Sequence, residues 1–270
     1  MSLLIVNVRE GTEGTVHVVY RKGGLRAPTP LPADVQALLD LDPDIYLELR
    51  HVSLPGIGQV LFQDLAGTVP VSEPDEAIGW AKNLGSLGGA ASSSGTMRPL
   101  FKGPLGVQFD GLDDVLRIFA SEGSDTHSFV VYYTQDVTYG SNENRNLTDT
   151  AQNNAMGMLI RSSVAPGTRR WLPTGSSAEG AIGASTDFSA HGPARLIYQN
   201  SVLGASFALT GAVTDSGSTT GDRRRTPDGL SVGSIRQGVA ATPSAVTVRA
   251  VARYPRVLTA PEIDTLPPLL

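Results

Sequence analysis

The chain of 270 residues contains no cysteine. That absence alone excludes disulfides, thiolate metal sites and cysteine nucleophiles. It also favours folding in a reducing cytoplasm, because extracellular β domains commonly carry disulfides. Charge is scarce: Asp, Glu, Lys and Arg make up 17% of the residues, with a net charge of -5. Nucleic-acid binding needs a cationic face to neutralise phosphate, so that class is excluded. No apolar run is long enough to span a bilayer, so no membrane partner is expected. The start, Met1 to Val8, has no basic segment and too short an apolar run for a signal peptide. Aromatic residues are few, and the two tryptophans stand at positions 80 and 171.

What is present points to short strands. The 30 glycines and 18 prolines are scattered, with abundant Ser and Thr, which suits many strands joined by turns. Leu3 to Val8 and Thr15 to Tyr20 read as a strand pair joined by a Gly-containing turn. Ala33 to Leu39 suits a short helix, with Val35, Leu38 and Leu39 on one face. Ile45 to Arg50 alternates as a strand. Residues 1–55 are expected to form a small N-terminal attachment or oligomerisation unit, and residues 56–270 the main domain. Further strands are expected over His127 to Thr134, Met156 to Ser162, Gly180 to Ser185, Ala194 to Gln199, Ser206 to Gly211, Leu230 to Ile235 and Ala245 to Tyr254. Their regular spacing predicts an antiparallel sandwich.

The densest signal is Val107 to Ile118. Two apolar strands flank Asp110-Gly111, and Gly accepts positive φ without steric cost, so a hairpin is expected there. Phe109-Asp110-Gly111, followed by Asp113-Asp114 and apolar residues, resembles the signature of laminin-G-like, concanavalin A-type β-sandwiches. Phe62 to Val71, Lys82 to Gly85 and Arg98-Pro99 extend the resemblance to a segment of phage and prophage tail proteins. The family's Asn-His pair after the turn is missing here. The end, Arg256 to Ile263, is similar to the closing strand-to-helix element of laminin-G-like domains. Thr259 would cap that helix, Pro261 fit its first turn and Glu262 complement its dipole. The resemblance covers residues 60–270. It implies an all-β, concanavalin A-like (laminin-G-like) jelly roll with a short C-terminal helix, carried on a virion as a tail fibre or spike. The implied partners are other virion proteins, host surface glycan and further copies of the chain. The implied location is the phage particle, after synthesis in the host cytoplasm.

Asp110, Asp113 and Asp114 are oxygen ligands of the kind calcium takes, and some relatives of the fold bind it. The same residues suit a turn and its flanking strand ends. No other cofactor is expected. Sugar recognition uses planar and amide side chains on loops, because a ring covers the apolar sugar face while polar tips bond hydroxyls. The stretch from Thr138 to Thr148 reads as a loop and offers Tyr139, Asn142, Asn144, Arg145 and Asn146. Trp171 offers a stacking ring, although the interior is the default place for a Trp side chain. Arg223 to Arg225 follow a Gly/Ser/Thr-rich tip and would meet either anionic polysaccharide or Asp222 and Asp228. The Glu-x-Asp-x-x-Glu strand of related glucanases is absent, Pro74 interrupts Glu73, Asp75 and Glu76, and no His pair has metal-ligand spacing. On that ground the chain is expected not to be an enzyme. Two functions remain: a virion appendage that adsorbs to host surface carbohydrate, or a purely structural virion decoration or joining protein.

Overall fold

Alternation of apolar and polar residues builds the sheets. In Gly204–Gly211, Ala205, Phe207 and Leu209 are buried and the residues between them are partly exposed. That is the period-two pattern of a strand with one packed and one wet face. The computed structural model describes residues 6–10, 16–20, 29–93, 95–119, 126–138, 144–149, 158–162, 169–173, 190–212, 214–220, 229–233 and 244–270.

The first unit, Met1–Pro30, contains strands β1 (Val6–Glu10) and β2 (Val16–Tyr20), paired antiparallel from Val6 opposite Tyr20 to Glu10 opposite Val16. The second unit, Leu31–Leu270, opens with helix α1 (Ala33–Leu39) and strand β3 (Ile45–Glu48). Short strands follow: β4 (Ser53–Leu54), β5 (Gly58–Gln59), β6 (Leu61–Phe62), β7 (Trp80–Lys82), β8 (Ala90–Ser92) and β9 (Leu100–Phe101). Next come β10 (Val107–Asp110), β11 (Leu116–Phe119), β12 (His127–Gln135), β13 (Asn144–Asp149), β14 (Met158–Ser162) and β15 (Arg169–Pro173). The chain closes with β16 (His191–Ser201), β17 (Gly204–Gly211), β18 (Asp215–Thr220), β19 (Gly229–Val232), β20 (Ala245–Tyr254) and helix α2 (Ala260–Thr265).

The second unit is an all-β sandwich of two antiparallel sheets. The first runs β18-β17-β16-β12-β20-β10-β9, and the second runs β15-β14-β13-β19-β11-β8-β7-β6. Phe109, Phe129, Val131, Leu196, Phe207 and Val248 of the first sheet join Leu116, Ile118, Leu147, Leu230 and Val232 of the second in one apolar core. Arg253 ties the two sheets: it holds Asp44 through Nε and Nη2, both at 3.0 Å, and donates from Nη1 to the Gly229 carbonyl at 3.1 Å. Gly233, at φ +89°, lies against the Phe109 ring, where a Cβ would fall 2.1 Å from Cδ1. Part of the outer face of the first sheet, over β12, β16 and β20, is covered. Tyr254 Oη donates to the Leu38 carbonyl of α1 at 3.1 Å. Tyr132 Oη and Arg195 Nη1 donate to the Pro267 carbonyl at 2.8 and 3.0 Å. Helix α2 starts as its sequence implies, with Thr259 N–H donating to Glu262 Oε2 at 2.8 Å.

Three expectations are corrected. The unit boundary falls at Pro30 and Leu31, not near residue 55, because β3 pairs with β20 inside the main sheet. The Asp110-Gly111 turn does not close a hairpin. Strand β10 pairs with β9 and β20 in the first sheet, and β11 pairs with β8 and β19 in the second, so the turn carries the chain across the sandwich. Asn144–Asp149 and Asp215–Thr220 are strands rather than loop and tip, held by neighbours that complete their backbone ladders. The strand expected over Gly180 to Ser185 lies outside the described residues, as do Arg223 to Arg225.

Candidate functional site

The outer face of the second sheet carries an open groove with a ring and polar side chains on its walls. On β11, Leu116 and Ile118 point into the core, so Arg117 and Phe119 fall on the opposite face. Pairing sets a row across the sheet: Phe62 opposite Trp80, Trp80 opposite Ser92, Ser92 opposite Arg117, Arg117 opposite Ser231, and Ser231 opposite Asp149. Phe62 and Trp80 meet edge to face with centroids 5.0 Å apart. Beside this row lies a groove of about 200 Å³ lined by Leu65, Ser92, Met97, Val115, Arg117 and Phe119, with Ser93 completing its wall. Phe119 is 56% exposed and Leu65 55%, while Arg117 and Ser92 are half-buried. Burial pushes the Arg117 guanidinium below its ordinary range.

Local hydrogen bonds hold the rims. Asp64 accepts from the Thr68 and Val69 N–H groups at 2.8 and 2.9 Å, shaping the loop that carries Leu65. Arg98 donates to the Gly95 and Gln63 carbonyls at 3.1 and 3.0 Å, which joins the two rims. Ser93 Oγ donates to the Met97 carbonyl, which also accepts from the Val115 N–H at 3.0 Å. The groove pairs an exposed ring with hydroxyl and guanidinium donors. An aromatic face and adjacent polar tips are what recognition of a sugar requires.

The residues expected to bind sugar are only partly brought here. Tyr139 and Asn142 lie outside the described residues. Asn144, Arg145 and Asn146 are on β13 and Trp171 on β15, in the same sheet as the groove. The register sets Arg145 opposite Ile160 and Ile160 opposite Trp171, one row over three strands. Sequence reasoning missed Arg117, Phe119 and Trp80. The signal was present in β11, where an arginine and an aromatic occupy alternate positions between core residues.

Asp110, Asp113 and Asp114 do come together, each offering an oxygen within 4.8 Å of the others. Asp110 Oδ1 accepts from the Leu112 N–H at 2.7 Å, and Asp114 Oδ2 from the Asp110 N–H at 2.8 Å. Asp114 is 5% exposed. Burial, with the charges of Asp110 and Asp113, pushes its carboxyl up to about 6 against the pull of that backbone bond. Two members of the trio serve backbone donors of the turn, and calcium would need several further oxygens beyond the three carboxylates.

No protein-family model matches the chain, and a search of curated proteins finds no match. Solved structures do resemble it. Trypanosoma rangeli sialidase in complex with 2,3-difluorosialic acid, a covalent intermediate, matches with a TM-score of 0.53 and 17% identity over 87% of this chain and 37% of that one. The same sialidase with sialic acid matches with a TM-score of 0.50 and 15% identity over 86% of this chain and 37% of that one. The likeness concerns the fold, and the chain spans well under half the length of those sialidases. It also corrects the expectation that the chain is not an enzyme. That expectation rested on a missing glucanase motif, a carboxylate run broken by Pro74 and the lack of a His pair at metal-ligand spacing, and this fold occurs in sialidase chains, so those absences exclude nothing.

Proposed function

We propose that the sandwich binds carbohydrate in the groove at Arg117 and Phe119, and that it does so as part of a phage appendage that adsorbs to a host surface. The observation that carries the carbohydrate reading is the exposed Phe119 ring beside half-buried Arg117 and Ser92. Occurrence of the fold in sialidase chains supports the same ligand class. The virion setting is supported by the resemblance of Phe62 to Val71 and Phe109 to Asp114 to tail-protein motifs. Recognition would be weak at each groove and strengthened by several copies on one particle. The sialidase likeness also favours a second reading, turnover of a bound sialoside.

The test is a glycan array and host-cell binding with purified protein, followed by titration of any ligand found. Phe119→Ala is expected to weaken binding about tenfold, the size of effect that loss of a central ring contact produces. Binding that survives both Phe119→Ala and Arg117→Gln would remove the groove from the account. Assaying the same mixtures for free sugar separates turnover from binding. No binding to host cells or their polysaccharide by intact protein would leave a joining or decoration role within the particle.

A further inference from the structure

Two parts of the groove on the second sheet leave different chemistry for a sugar. One part is polar and aromatic. Ser92 stands opposite Arg117 in the pairing of β8 with β11, which sets a hydroxyl beside a guanidinium, and Phe119 follows on the same outward face. Phe119 is the ring that lies open there, at 56% exposure. The Trp80 ring is half-buried and is capped by Gly67, where a Cβ would fall 3.2 Å from Trp80 Cδ2.

The other part is apolar, and three of its polar groups are spent on one another. The Met97 carbonyl accepts twice, from Ser93 Oγ and from the Val115 N–H at 3.0 Å. A carbonyl has two lone pairs and a hydroxyl one proton, so neither group keeps that capacity for a ligand. Next to Met97, Thr96 Oγ1 donates to Asp113 Oδ2 at 3.0 Å. Arg98 reaches the Gln63 carbonyl at 3.0 Å and so ties the loop of Leu65 to the same end. This part presents the side chains of exposed Leu65, half-buried Met97 and buried Val115. A sugar hydroxyl placed against them would lose water and gain no bond, which is costly. A methyl group placed there gains apolar burial.

We propose that the groove selects 6-deoxyhexoses, with the sugar ring over Phe119, its hydroxyls toward Arg117 and Ser92, and its C6 methyl toward Leu65, Met97 and Val115. This rests on the reading of the groove as a sugar site and names the class of sugar it takes. A parent hexose carries a hydroxyl on the carbon that is a bare methyl in the 6-deoxy sugar. An N-acetylated sugar also ends in a methyl, but its amide N–H and C=O would meet the same spent groups. In an apolar pocket a difference of this size is worth about tenfold or more in selection.

The test is ¹³C NMR of the methionine methyl groups of the full chain. Glucose, galactose and mannose, in D and L forms, are each titrated against their 6-deoxy counterparts, and the D forms also against their 2-acetamido-2-deoxy counterparts. The expected result is a saturable shift of the Met97 methyl with a 6-deoxy sugar, at an affinity about tenfold above that of its parent. Leu65→Asn changes an exposed side chain that the fold tolerates, and it is expected to remove most of that preference. Parents that bind as tightly as their 6-deoxy counterparts in every series would overturn the proposal. So would tighter binding of the 2-acetamido sugars, a preference undiminished in Leu65→Asn, or array glycans bound with no 6-deoxy sugar among them. Each of those outcomes leaves the groove standing as a sugar site. No binding of these sugars, of array glycans or of host polysaccharide would remove that site and the proposal together.

Discussion

The outward patch at β3 of the first sheet and the outward patch at β11 of the second obey the same alternation and end in opposite conditions. On the first sheet the outward Glu48 is 1% exposed under α1. It accepts from Tyr46 Oη at 2.7 Å, the Arg50 N–H at 3.0 Å, Arg50 Nε at 2.9 Å and Nη2 at 2.7 Å, and lies 3.1 Å from His51 Nδ1. Burial alone would raise its carboxyl, but the bonds from His51, Arg50 and Tyr46 outweigh burial and hold it at about 2. On the second sheet the outward Arg117 and Phe119 meet a groove instead of a covering helix. A polar outward residue becomes scaffold where a neighbouring element covers it, and lines a contact surface where a groove stays open beside it.

The sharpest break in this contrast is expected from the covered side. Glu48→Ala would strand Arg50 between Asp34 and an empty pocket, and a cost of about 3 kcal/mol is expected in urea unfolding, the usual price of removing one partner from a buried pair. Glycan binding by the surviving folded protein should be unchanged. The same carboxylate sets an acid limb. Its folded value of about 2 lies below the ordinary 4.5. Its contribution is therefore complete above the ordinary value and is lost as pH falls toward 2. Glu48→Gln should flatten that limb in unfolding curves recorded against pH.

Asp114 should act with the opposite sign and less strongly. Its folded value of about 6 lies above the ordinary 3.8, so the native state binds the extra proton between them. Stability from this group is highest at low pH and is lost as pH rises through 6. Asp114→Asn keeps an oxygen for the Asp110 N–H and removes the buried charge, and at neutral pH it should stabilise by about 1 kcal/mol. A destabilised Asp114→Asn protein at neutral pH would contradict this account of the turn. The smallest change in stability is expected on the open side. Phe119→Ala should alter unfolding by no more than about 0.5 kcal/mol, as surface substitutions do. A cost of several kcal/mol would mean that Phe119 supports the sheet rather than faces a ligand.

Local features were readable before any coordinates. Helix α1 spans the residues that its apolar spacing predicts, β20 spans Ala245–Tyr254, and Glu262 meets the Thr259 N–H at the start of α2. Reading failed where a partner distant in the chain decides. Asp-Gly with positive φ serves a hairpin and a crossing between sheets equally well, and pairing of Val107 with Val248 selects the crossing. Ile45–Glu48 reads as part of an N-terminal unit until Ala250–Arg253 claims it. Asn144–Asp149 is too polar to announce a strand, and β14 and β19 make it one. The candidate groove was hidden for the same reason. Leu65, Ser92, Met97 and Arg117 lie on separate pieces of chain, and none is unusual within its own segment.

The sequence by itself determined the exclusions that follow from missing cysteine, the all-β texture, the helices, and which residue of each alternating pair faces the core. These depend on composition and on contacts within a few residues. Tertiary structure alone decided which sheet each strand joined, which outward face was covered, and where exposed ring, hydroxyl and guanidinium met. Those outcomes depend on pairings between residues far apart in the chain, and a period-two pattern is the same whichever partner a strand finds.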